Sequence, residues 1–85
     1  MAWSYKIEEI ISPSLTQVRI NFMVKNNGVS YTRDGVTISP STLIGTNAEK
    51  LAIIKSAIEA VVAQYSSTYN AYNGLQQYVG TEVIL

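Results

Sequence analysis

The sequence predicts a small α+β domain: an antiparallel hairpin sheet packed on one long amphipathic helix, in the order β-β-β-α-β. Three observations carry this. Residues 18–25 keep a period of two, with Val18, Ile20, Phe22 and Val24 all on one side. An Asn27-Gly28 dipeptide follows them directly. After Thr46 the apolar spacing changes from two to steps of three and four. Period two marks a strand with one packed face, the dipeptide marks a hairpin, and period 3.6 marks a helix with one packed stripe.

The first strand is read from residues 3–11. Trp3, Tyr5 and Ile7 lie on one side, with Ser4, Lys6 and Glu8 on the other. Glu8-Glu9 breaks the parity, and a bulge there would return Ile10 to the inner face. Ser12-Pro13-Ser14 is expected to turn the chain, because Pro13 has no N–H for a ladder. In the second strand Val18, Ile20, Phe22 and Val24 point inward, while Arg19, Asn21, Met23 and Lys25 point outward.

Asn27-Gly28 suits a type I′ turn, whose central residues both need positive φ. A two-residue loop would set Val24 opposite Tyr31, but the same register would put Arg33 opposite Phe22. One extra residue at Asp34-Gly35 repairs this, bringing Val36 opposite Ile20 and Ile38 opposite Val18. The alternative is a second tight turn at Asp34-Gly35 that splits the strand in two.

Thr46-Asn47-Ala48-Glu49 fits a capping box. Beyond it Leu51, Ile54, Ile58, Val61 and Tyr65 form one stripe, widened by Ile53, Ala57 and Val62. The helical spacing continues through Tyr69 and Tyr72 to a stop at Asn73-Gly74. The span 47–73 would be about 40 Å long, enough to overhang its sheet or bend near Ser66. Residues 81–85 alternate weakly and are expected to form a short last strand.

Eighty-five residues make one domain, 1–85, burying about 60–65% of the surface its unfolded chain exposes. Such a core is marginal without reinforcement. The chain has no Cys and no His, so disulfides, thiolate zinc sites and histidine chemistry are unavailable to it. Self-association is the remaining reinforcement, and we expect a homo-oligomer or a subunit bound to other proteins.

Six basic and six acidic residues give zero net charge, with no basic stripe in either half. Nucleic-acid and anionic-membrane partners are therefore not expected. The opening residues lack a basic and an apolar leader region, which predicts synthesis in a cytoplasm.

No catalytic constellation is legible. Adjacent carboxylates such as Glu8 and Glu9 face opposite ways on a regular strand, and Glu49 and Glu59 read as solvated helix charges. Ser and Thr have no His or Cys companion, and the five glycines are isolated. No enzyme activity, cofactor or metal is expected. The most pointed feature is the tyrosine series Tyr65, Tyr69, Tyr72 and Tyr78. It reads either as rings covering the sheet or as a partner surface. Met23, on the outer face, and Val83 and Leu85, in the last strand, are the other candidate interface residues. The last strand could pair with its own sheet or with a neighbour's edge.

The stretch Ala2-Trp3-Ser4-Tyr5-Lys6 through Ser12-Pro13-Ser14-Leu15-Thr16-Gln17-Val18 resembles the start of small structural proteins of tailed bacteriophages. The hairpin from Phe22 to Tyr31 and the helix-then-strand ending are similar in layout. The resemblance implies a virion, neck or tail setting and transfers no functional residue. The expected function is that of a structural subunit acting through protein–protein interfaces, such as a decoration, adaptor or tail-associated protein. The alternative is a small monomeric binding module or inhibitor that docks on a host protein.

Overall fold

A computed structural model describes residues 2–85. Strands β1 (Trp3–Ser14), β2 (Gln17–Asn26) and β3 (Val29–Ile38) form an antiparallel sheet in the order β1-β2-β3. A short 3-10 turn, Pro40–Thr42, leads to helix α1 (Asn47–Tyr72), which packs on one face of the sheet. The α+β class and the three-stranded sheet match the sequence reading.

In β1 the register shifts between Ile7 and Glu9, so the bulge forms at Glu8-Glu9 and Ile10 faces Ile20. The first reversal is not at Ser12-Pro13-Ser14. The strand runs to Ser14, which pairs with Gln17, and the chain turns at Leu15 and Thr16. β1 is an edge strand, where a proline costs little because an N–H facing away from the sheet has no partner to lose. Ser12 Oγ also spans the turn, lying 2.8 Å from the carbonyl oxygen of Ser14 and 3.1 Å from that of Gln17.

The second hairpin has the predicted turn geometry, with φ of 53° at Asn27 and 77° at Gly28. The compensating bulge lies earlier than the sequence reading placed it. Val24 faces Thr32 and Lys25 faces Ser30, so the extra residue is Tyr31 and not one of the Asp34-Gly35 pair. From there the expected register returns, with Val36 facing Ile20 and Ile38 facing Val18. The physical reason is that this placement saves both misfits at once. Tyr31 turns its ring toward the helix, and Asp34 comes opposite Phe22, where the helix supplies a hydroxyl for its carboxylate.

Helix α1 begins with the predicted capping box. Thr46 Oγ1 accepts from the Glu49 N–H at 3.2 Å, and Glu49 Oε1 accepts from the Thr46 N–H at 3.1 Å. Its buried line is Ile54, Ile58 and Val62, stepping by four, with Val61 and Tyr65 half-buried beside it. Leu51, at the start of the predicted stripe, is exposed. The helix runs without interruption past Ser66. Asn73-Gly74 does not stop it sharply, because residues Asn73–Tyr78 continue as a 3-10 segment.

The expected fourth strand is not present. Residues 79–85 form neither helix nor strand, and the order is β-β-β-α. Tyr69 and Tyr72 already lie over Trp3 and Tyr31, at the Asn27-Gly28 end of the sheet. The six residues of 3-10 structure then carry the chain further, and the molecule reaches 60 Å along its main axis. A tail leaving there has no sheet of its own beside it.

The core is small. Ile20, Phe22 and Val24 from β2 meet Ile54, Ile58 and Val62 from α1, and these are the only buried apolar side chains among the described residues. Trp3, Tyr5, Ile7, Val36 and Ile38 close around them from the edge strands.

Candidate functional site

The open face of the sheet gathers half of the charged side chains. The bulge places Glu8 and Glu9 side by side there, which a regular strand would not do. Each carboxylate is already engaged. Glu8 Oε1 pairs with Arg33 Nε at 2.9 Å, and Glu9 Oε1 accepts from Asn21 Nδ2 at 2.7 Å. Asn21 Oδ1 in turn accepts from Arg19 Nε at 2.9 Å. Gly35 completes the arrangement: a Cβ at that position would collide with the Arg19 guanidinium, so the missing side chain lets Arg19 lie against β3.

This network balances its own charges and offers no excess of either sign to a ligand. An open hollow of about 340 Å³ is lined by Glu8, Arg19, Asn21, Arg33 and Asp34. A second of about 280 Å³ runs between α1 and β3, lined by Asp34, Val61, Gln64, Tyr65 and Thr68. Among the described residues no three metal-ligating side chains come together.

The tyrosine series divides. Tyr65, Tyr69 and Tyr72 are half-buried and join Trp3 and Tyr31 in a cluster between helix and sheet. Trp3 meets Tyr31 at 5.1 Å and Tyr69 at 5.5 Å between ring centres, both edge to face, the geometry the ring quadrupoles favour. Tyr78 lies outside this cluster and is exposed. Met23 is half-buried on the outer face of β2. Val83 and Leu85 stand in solvent.

Two hydrogen bonds that the sequence did not reveal tie α1 to both edges of the sheet. Tyr5 of β1 donates to Glu59 Oε2 at 2.8 Å, and Tyr65 of α1 donates to Asp34 Oδ2 of β3 at 2.6 Å. Burial, reinforced by the Glu59 carboxylate, pushes the Tyr5 phenol up to about 12. The Tyr65 hydroxyl and then the Gly35 N–H hold the Asp34 carboxyl below its ordinary value, and the same bond raises the Tyr65 phenol. A carboxylate held low is a weak base at neutral pH, which suits a structural tie better than proton transfer.

What remains uncommitted is apolar surface at the two ends of the molecule. At the β1–β2 hairpin tip Ile10, Ile11 and Leu15 are exposed, Leu15 almost fully at 99%. At the other end Leu75, Tyr78, Val79, Val83, Ile84 and Leu85 are exposed. No helix among the described residues is long and apolar enough to cross a membrane.

Comparison of the chain with protein-family models, with curated proteins and with solved structures gave no match to any of them.

Proposed function

We propose that this chain is a non-enzymatic structural protein that works by forming protein–protein interfaces, first of all with further copies of itself. The supporting observation is surplus surface. The chain exposes 6055 Å², whereas a compact monomer of this mass would expose about 5,000 Å². The radius of gyration is 17.3 Å, against about 12 Å for a compact chain of this length. The surplus of roughly 1,000 Å² is close to the ~800 Å² that each partner contributes to an ordinary specific interface.

Zero net charge removes the repulsion that would keep copies apart. The setting implied by the N-terminal resemblance, a phage particle, is one in which a small subunit of this kind has a stoichiometric place. Size-exclusion chromatography with light scattering tests the reading, over about a thousandfold range of concentration. Reversible self-association is expected. A strict monomer throughout would overturn it and favour a module that docks singly on a host protein.

A further inference from the structure

We propose that segment 81–85 of one copy adds as a fourth strand to the free edge of β1, along residues 3–7, in a second copy. This rests on the self-association reading above and specifies the contact that produces it.

The donor is an unused strand. Residues 81–85, Thr-Glu-Val-Ile-Leu, belong to no helix or strand, and Val83, Ile84 and Leu85 are 77%, 88% and 116% exposed. β-Branched residues in such a segment favour a pleated, half-buried surface. Their own sheet ends before the tail begins, so a neighbour's sheet is the available place for them.

The acceptor is chosen by what blocks the alternatives. β3 is guarded: Tyr31 bulges its first half, and the Gly35 N–H, an edge donor, is already taken by its neighbour Asp34 Oδ1 at 2.7 Å. A bulge and an inward carboxylate are devices that discourage strand addition. β1 is guarded in its second half by the Glu8-Glu9 bulge and Pro13. Residues 3–7 remain, pairing without a break with Asn26 through Phe22. They are five, the length of the donor.

Side-chain parity agrees. Neighbouring residues on adjacent strands share a face. With Val83 beside Tyr5, Val83 and Leu85 fall on the inner face with Trp3, Tyr5 and Ile7, whichever way the segment runs. Glu82 then falls on the outer face, which carries Lys6. Among the described residues neither Lys6 nor Glu82 has an ion-pair partner, so the two supply each other with one. The contact joins main-chain hydrogen bonding to apolar burial, as strand addition does generally.

The test measures the self-association constant of the full chain and three variants by sedimentation equilibrium. Val83→Asp is expected to weaken association at least about tenfold, with an unchanged far-ultraviolet spectrum, because Val83 is exposed in the protomer. Lys6→Glu is expected to weaken it about threefold. The double variant Lys6→Glu with Glu82→Lys is expected to recover the original constant. Unchanged association in Val83→Asp, with the parent still self-associating, overturns the tail contact and leaves the broader assembly reading standing. A monomeric parent overturns both, and amide protection of 81–85 in that monomer would assign the tail to its own sheet.

Discussion

The Tyr65 hydroxyl donates a 2.6 Å hydrogen bond to the Asp34 carboxylate, joining the C-terminal half of the helix to the β3 edge of the sheet. Its counterpart on the opposite edge is the 2.8 Å bond from Tyr5 to Glu59. A core of six buried side chains is too small to fix the angle of a 26-residue helix by packing alone. Directional bonds at both edges add that constraint.

The Asp34 tie makes stability fall in acid. The carboxyl is held below its ordinary value of 3.8 chiefly by the Tyr65 hydroxyl, so folding favours the ionised form. That contribution is complete above the ordinary value and is lost as pH falls through the lowered one. Glu49, held low by the Thr46 N–H and hydroxyl of the capping box, acts in the same window. Urea midpoints should decline below about pH 4. Tyr65→Phe should cost about 1 kcal/mol at neutral pH and flatten the decline.

The Tyr5 tie acts at the other end of the scale. Its phenol is raised from 10.0 to about 12, by burial first and by Glu59 second. Folding therefore favours the protonated phenol. Its contribution is complete below 10 and disappears as pH rises to about 12. An ultraviolet phenolate titration should show a late-ionising tyrosine that is missing in Tyr5→Phe. Tyr65 and Tyr72, raised by their bonds to Asp34 and Tyr31, should also ionise above the ordinary value.

The aromatic cluster makes Trp3 a reporter. Its ring lies 5.5 Å from that of Tyr69, which also meets Tyr31 at 6.0 Å and Tyr72 at 5.7 Å. Tyr69→Ala should open this end to water and shift Trp3 emission to the red. The loss in stability should be about 2 kcal/mol, less than for a fully buried ring. An unshifted spectrum with impaired assembly would instead place Tyr69 in an intermolecular contact.

Gly35 and Arg19 should be coupled. The Cβ introduced by Gly35→Ala meets the Arg19 guanidinium and Asn21 Oδ1. Arg19 is long enough to swing away, so the cost should be about 1 kcal/mol, from losing its bond to Asn21. In an Arg19→Ala background the same change should cost less, since only the contact with Asn21 Oδ1 remains to be relieved and Ala has less backbone freedom than Gly to lose on folding. A thermal-denaturation double-mutant cycle reads the difference. Additivity would show that Arg19 does not hold the position seen beside Gly35.

Several elements were legible in residue order because their determinants are local. The period of two over 18–25, the Asn27-Gly28 turn, the Glu8-Glu9 bulge and the Thr46–Glu49 capping box each depend on residues within one turn or one strand. The helix stripe was legible for the same reason, although its buried centre lies at Ile54, Ile58 and Val62 rather than along the line through Leu51 and Val61. Which part of the stripe is covered depends on where the sheet lies under it, which no periodicity encodes.

Other features were decided between elements. The β3 bulge went to Tyr31 because the helix offers a ring cluster to one residue and a hydroxyl to Asp34, and neither partner is near in sequence. The C-terminal segment has strand-like residues, yet forms no strand in the protomer, because a ladder needs an edge alongside and the helix delivers the chain beyond it. Sequence by itself determined the α+β class, the Asn27-Gly28 hairpin turn and the absence of Cys and His. Tertiary structure alone decided which tyrosines cover the sheet and which apolar side chains are left in water. Local conformation follows from neighbouring residues, whereas burial is a property of surfaces that meet only after the chain has folded.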